Sequence, residues 1–345
     1  MNSRILYKYA ARNAPAIIYV TIFSLSISGA IAAIFAVMCL RPVSRDAKPR
    51  ISSISTGMSS KAIAKQLARE NLIRSALMFQ LMSRFSGASR DLKAGIYRLS
   101  GSMTPMNIIE KLTAGKVETC RFVVPEGLTI AQIGQLWESE GFGTAEAFAK
   151  AASSPLWRVK YKIEAETLEG YLFPNTFQLA DGTPPEKHIE LMLKIFDRLW
   201  TSKLSDEAES LQLSRHEVVT LASIIEKEAK HAHERPLISG VYHNRLRRGW
   251  RLEADPTVLY ALGNPERQLT RADLEVDSLY NTYRHKSLPP GPICNPGLDS
   301  ILAALRPVST SHLYFVAIDG GKHHFSTTLK EHQKMIRKIK AQGVD

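Results

Sequence analysis

The chain has 345 residues, of which 44% are hydrophobic and 23% charged, so it can build a core and is not a disordered polyelectrolyte. Forty-five Lys and Arg against thirty-three Asp and Glu give a formal net charge of +12, which favours an anionic partner: nucleic acid, lipid headgroups or an acidic polymer. No RNP-type aromatic motif, zinc-finger spacing or long basic tract is present, so nucleic acid is not the expected partner.

The first element in chain order is Ala16 to Leu40, a run without a charge. As a helix it would be roughly 37 Å long, enough to cross a hydrocarbon core of about 30 Å. It ends in MCLRP, a poor cleavage site, so it reads as an uncleaved transmembrane helix and not as a signal peptide. Arg4, Lys8 and Arg12 precede it and Arg41, Arg45, Lys48 and Arg50 follow it, so the charge asymmetry gives no orientation. No second run of that length follows, which puts residues 51–345 on one side and leaves residues 1–15 as a tail. Cys39 lies in the run, and Cys120 and Cys294 are read as free thiols.

Residues 41–55 are polar, aperiodic and Pro-containing, and they read as a tether. Thr56–Ile73 and Glu126–Gly143 resemble each other when aligned on Gly57 and Gly127, as two capped amphipathic helices. Between them, Ile96–Leu99 predicts a strand, Thr104-Pro105 opens a helix that closes at Gly115, and Arg121–Val124 predicts a second strand. This strand–helix–strand packet has the pattern of a carbohydrate-docking module of LysM type, with a plain spacer as the alternative. The pattern is then mainly helical to Arg306, with helices predicted at Thr144–Ala152, Pro185–Lys203, Ser205–Glu209, Ser214–Glu228 and Arg235–Arg248. Asp319-Gly320-Gly321 between apolar runs predicts a C-terminal hairpin.

The helix from Ser214 opens with a capping box, Ser214 and Glu217, and places Val218, Leu221, Ala222, Ile225 and Ala229 on one face. Glu226 falls about 80° to one side of that face and Glu228 about 80° to the other, so either carboxyl sits at a boundary where partial desolvation suits a general acid. Spacing alone does not choose between them. His231, His233 and Glu234 lack the i,i+4 pairing of a helical metal site, so no metal is expected. Beyond them, Tyr280, Asn281, Tyr283 and the Pro/Gly-stiffened stretch to Gly297 suit the wall of a polar cleft.

LEGYLFPNTF (168–177), LASIIEKEA (221–229), YHNRL (242–246), ADPTVLYALG (254–263), YNTYRHKSLPPGPICNPG (280–297) and FVAIDGGKHHFSTTLKEH (315–332) occur in this order. Together they make the chain resemble the endolytic murein transglycosylases, the MltG/YceG-like family, over nearly all of residues 50–340. The resemblance implies a single-pass inner-membrane lyase that cuts nascent peptidoglycan strands internally and leaves 1,6-anhydro-muramyl ends, without metal or cofactor. It places the catalytic carboxyl on Glu226 and makes Glu228 a neighbouring candidate. Asn244, Asp255, Tyr280, Asn281, Tyr283 and Asn295 are the expected substrate contacts, and Glu169 either faces the same cleft or caps a turn. Residues 41–345 are then expected in the periplasm, beside penicillin-binding synthases of the wall-building machinery. The expected fold is α+β: a transmembrane helix at 16–40, a LysM-like module at 56–124, and a mainly helical catalytic domain at 125–345. The alternative from another class is a non-catalytic, membrane-anchored peptidoglycan-binding protein.

Overall fold

In the computed structural model the described residues are 40–341, without 56, 116–118, 181 and 264–266, together with scattered positions between 23 and 38. The expected tail at 1–15 and most of the expected span at 16–40 lie outside them; among the described residues no helix is long and apolar enough to cross a membrane. The chain divides between Cys120 and Arg121 into two compact units. Both are mostly helical, with three two-stranded sheets among the described residues.

The first unit runs β1 (Arg50–Ile54), α1 (Ser60–Arg69), α2 (Ala76–Phe85), β2 (Gly95–Leu99), α3 (Pro105–Ala114). Each helix starts where a hydroxyl can accept an orphan backbone N–H: Ser59 from Ala62, Ser75 from Met78, Thr104 from Asn107. β1 pairs antiparallel with β2, Arg50 opposite Leu99 and Ile54 opposite Gly95. Ile63, Leu67, Phe79, Tyr97, Ile108 and Leu112 fill the core beneath them. Part of the expected tether is therefore a strand. The residues before it are held as well: Arg74 donates to the carbonyls of Pro42 (3.0 Å) and Val43 (3.1 Å), and Ser100 Oγ to that of Ala47 (2.6 Å).

β3 (Thr119–Val123) straddles the division and pairs with β4 (Thr176–Ala180). Between these strands lie α4 (Ile130–Ser139), α5 (Ala145–Ala152) and α6 (Pro155–Tyr161), and α7 (Pro185–Leu199) follows β4. The predicted strand–helix–strand packet is thus divided. Its first strand pairs backward with β1 and its second pairs forward with β4, partners that local periodicity does not specify.

The two similar segments do repeat in structure. Gly57 and Gly127 both hold positive φ (83° and 78°), and Ser59 and Thr129 cap α1 and α4. Both helices close alike, Leu72 N–H donating to Leu67 O (2.9 Å) and Phe142 N–H to Trp137 O (3.1 Å), the long-range bond of a Schellman motif.

The rest of the second unit is α8 (Ser202–Ser210), α9 (Arg215–Glu228), α10 (Arg235–Arg247), α11 (Asp255–Ala261), α12 (Leu298–Leu305), β5 (Tyr314–Ala317), β6 (His323–Ser326) and α13 (Leu329–Ala341). α9 is its axis and packs along α12. Sequence periodicity assigns α9 one apolar face, but every residue from Val218 to Ile225 is buried. The two polar residues in that stretch tolerate this because Thr220 Oγ1 donates to His216 O (2.8 Å) and Ser223 Oγ to Thr220 O (2.7 Å). β5 and β6 form the antiparallel C-terminal hairpin, with Phe315 opposite Phe325. His231 and Glu234 anchor it. His231 Nε2 meets Gly320 O at 2.8 Å, while both Glu234 oxygens engage His323, through its N–H and Nδ1, each at 2.9 Å.

Candidate active site

Glu226 lies in the last turn of α9, its side chain only 8% exposed. Arg235, the first residue of α10, donates Nη2 to Glu226 Oε1 (3.3 Å) and Nε to Ser300 Oγ (3.0 Å). The N–H of Gly297, which caps α12, donates to Glu226 Oε2 (3.0 Å). Three helix ends therefore meet at one carboxyl. Glu126 stands on the other side of Gly297: a Cβ placed on that glycine would lie 2.1 Å from the Glu126 carboxyl. Burial, then the charge of Glu226, pushes the Glu126 carboxyl above its usual range, with Asp299 adding to the shift and Arg235 opposing it. Much of the Glu126 side chain nevertheless remains open to solvent.

The loop that presents Gly297 is fixed by buried polar contacts. Ile293 N–H donates to Ser223 Oγ (3.0 Å). Asn295 Oδ1 accepts from Leu172 N–H (2.9 Å), and its Nδ2 donates to Leu128 O (2.9 Å) and Glu169 Oε1 (3.0 Å). Its carbonyl accepts from Gly127 N–H (2.9 Å), so one asparagine ties the Glu126-Gly127 turn to the Gly297 turn. Glu169 in turn accepts from Ile130 N–H (3.0 Å) at the start of α4 and from Tyr260 OH (3.5 Å). Gly170 beside it is required twice over, by its φ of +87° and by Pro292, 2.4 Å from where a Cβ would stand. Burial raises the Glu169 carboxyl to about 8, although all three hydrogen bonds pull it down.

Glu228 lies on the opposite flank of α9, as the helical wheel requires, in a separate cluster. Tyr242 OH donates to Glu228 Oε1 (3.0 Å), and burial first, then the charge of Asp255, raises Glu228 to about 7. Asp255 itself accepts from Tyr283 OH (2.5 Å). Both Glu169 and Glu228 are raised above their unfolded values. Their contribution to stability is then complete below about pH 4.5 and is lost as pH rises through about 7 to 8. The melting temperature is expected to fall across that window. Glu169→Gln, which mimics the protonated acid, should flatten the upper part of the fall while matching the wild type near pH 5. Parallel curves for the two proteins would remove Glu169 from this account.

Of the expected substrate contacts, the three asparagines serve the fold. Asn295 is the buried hub just described. Asn244 Nδ2 donates to Thr310 O (2.8 Å) and His312 O (2.9 Å), tying α10 to the chain before β5. Asn281 is fully buried and staples its own loop, donating to Leu274 O (2.8 Å) and Val276 O (2.9 Å). Tyr280 packs on Tyr260, ring centroids 5.0 Å apart, and Asp255 and Tyr283 bond each other. Glu228 is enclosed with Tyr242. None of these seven bonds Glu226 directly; Asn295 reaches it only through the Gly297 turn.

Sequence reasoning missed Arg235, Gly297 and Glu126. Arg235 carried one signal: a cation in the first turn of a Pro-started helix opposes the helix dipole and needs an anion to hold it. Glu126 and Gly297 carried none, because their meeting depends on two loops far apart in the chain. Cys294 is a buried free thiol and Cys120 an exposed one.

A carboxyl held by a guanidinium and a backbone N–H, with a second carboxyl beside it, is equipped for acid–base chemistry. The chain belongs to the YceG-like family, whose sequence pattern matches residues 52–338. It is 36% identical over 312 residues to the endolytic murein transglycosylase of Bacillus subtilis, covering 86% of each chain. It is 30% identical over 330 residues to that of Streptococcus pneumoniae D39, covering 86% of this chain and 60% of that longer one. A 2.6 Å crystal structure of a yceG-like protein from Listeria monocytogenes superposes with a TM-score of 0.59 at 35% identity, covering 84% of this chain and all of the other.

Proposed function

We propose that this protein is an endolytic murein transglycosylase, a lyase that cuts peptidoglycan glycan strands internally, and that Glu226 is its catalytic carboxyl. The observation that carries the reading is the match along residues 52–338 to a family whose curated relatives bear that activity in their names. The position of Glu226 supports the residue assignment, since the ends of α9, α10 and α12 converge on it. A lytic cut needs no activated water: the C6 hydroxyl of the muramyl sugar attacks C1 of its own ring. Glu226 therefore has to protonate the departing oxygen and then accept the hydroxyl proton, acting as acid and base in turn.

On the same reading the uncharged run Ala16–Leu40 anchors the chain in the inner membrane and the remainder works in the periplasm. Support comes from Arg74, which holds the Pro42 and Val43 carbonyls, so the first unit begins within a few residues of the end of the run. The βααβ order of that unit supports glycan docking of the LysM type. The enzymes that supply uncrosslinked strands, the penicillin-binding synthases, are the partners this activity requires.

Mass spectrometry of soluble fragments released from uncrosslinked peptidoglycan by the full chain in detergent tests the reading. Internal fragments ending in 1,6-anhydro-muramic acid are expected. Reducing ends would instead identify a hydrolase, and retention on the polymer without cleavage a binding protein.

A further inference from the structure

α2 is built the wrong way round for a helix whose only neighbours are its own core and water. It buries Phe79 and Ser83, the serine hydroxyl turning back to donate to Gln80 O (3.0 Å). Leu77, Leu81 and Phe85 face outward, 65%, 39% and 88% exposed. With the exposed Arg84 they stand at i, i+4, i+7 and i+8, one stripe running about 12 Å along the axis. Scattered exposed leucines are ordinary, but three large apolar side chains in register on one helix mark a contact surface.

Two features identify what covers it. The first is position. Arg74, two residues before α2, donates to the carbonyls of Pro42 and Val43, directly after the uncharged run Ala16–Leu40. The chain is packed there as well as bonded: a Cβ on Gly101 would meet Asn71 O at 3.1 Å and Val43 Cβ at 3.5 Å. The start of α2 is therefore held beside the end of the run. The second feature is charge. From Asn71 to Arg90 the sequence has Arg74, Arg84 and Arg90 and no Asp or Glu, and in the residues after the run Arg41, Arg45, Lys48 and Arg50 stand against Asp46 alone. An apolar stripe framed by arginines without carboxylates fits the boundary of an anionic bilayer, where alkyl and aromatic groups enter and guanidinium ions meet phosphate. A glycan strand would need hydrogen-bonding side chains, and of the four residues in the stripe only Arg84 supplies them.

We propose that α2 docks on the membrane that holds the chain, with Leu77, Leu81 and Phe85 in the headgroup–acyl boundary of an anionic leaflet and Arg84 on its phosphates. This rests on the reading of Ala16–Leu40 as an anchor. The first unit then meets the bilayer at two points, the run and α2, and does not swing on a single tether.

The test is the accessibility of a spin label on the full chain, reconstituted into phosphatidylcholine liposomes containing about one third phosphatidylglycerol. Labels go at Leu81→Cys and Phe85→Cys, and at Glu209→Cys as an exposed polar reference, each with Cys39→Ser and Cys120→Ser; Cys294 is buried and stays. The ratio of oxygen to nickel-complex accessibility at Leu81 and Phe85 should be at least about threefold that at Glu209. Adding Leu77→Ser and Leu81→Ser to the Phe85→Cys chain should bring its ratio down to the reference. Because these positions are exposed, every variant should melt in detergent within about 2 °C of wild type. A ratio at Leu81 and Phe85 equal to the reference, in chains that resist alkaline carbonate extraction, overturns the docking and leaves the anchor standing. Broadening between labels that is lost on dilution with unlabelled chain would place a second copy on the stripe, and overturns the docking as well. Chain that carbonate strips from the liposomes overturns the anchor and the docking together.

Discussion

Glu226→Gln is expected to lower formation of anhydro-muramyl ends by about 1,000-fold or more while costing only about 1–2 kcal/mol of stability. The asymmetry follows from what each oxygen does. A glutamine keeps one acceptor, for either Arg235 or Gly297, and turns an N–H toward the other, so one modest contact is lost. Arg235 retains Ser300, and the apolar packing of α9 is unchanged. The amide can neither take up nor release the proton that the reaction moves. The comparison requires kcat by product analysis and a denaturant midpoint on the same preparation. Residual activity above about one tenth of wild type would remove Glu226 from the reaction, whatever the variant's stability.

The second large effect is on folding. Asn295→Ala should cost about 3–5 kcal/mol, a substantial part of what holds a domain together. The side chain is fully buried and makes three hydrogen bonds, to Leu172 N–H, Leu128 O and Glu169. Truncation strands the first of these without a partner and strips one donor from a carboxyl already raised by burial. Asn295→Asp offers a sharper contrast. It keeps the shape but sets a second carboxyl against Glu169, so its deficit should be largest at high pH and shrink toward pH 5, where a shared proton relieves the repulsion. Because the same residue joins the Glu126 and Gly297 turns, the activity of Asn295→Ala should fall further than its folded fraction does. Measured stability within about 1 kcal/mol of wild type would show that the hub is dispensable.

The sequence carried those parts of the architecture whose causes are local. Helix starts at Ser59, Thr129 and Ser214 follow from hydroxyl or carboxylate caps, and the repeat at Gly57 and Gly127 follows from two turns that need positive φ. The C-terminal hairpin follows from Gly320 and Gly321, and the placement of Glu226 and Glu228 on opposite flanks from the pitch of one helix. Composition and ordered motifs were enough to name the family. The pairing of strands was not local: β1 lay hidden in a polar stretch because an edge strand five residues long needs only Ile54 and the small Ser52 on its inner side. Nor was the use of the polar residues local. An asparagine in a Pro/Gly loop looks the same whether it meets a sugar or a buried backbone, and here Asn281 and Asn295 meet backbone because burial leaves no water to serve in its place. The different surroundings of the two glutamates were decided by the ends of α10 and α12, which bring Arg235 and Gly297 to Glu226 and leave Glu228 to Tyr242. A carboxyl's chemistry is set by what lies within a few ångströms of it, and in this chain those neighbours come from 9, 71 and 100 residues away in sequence.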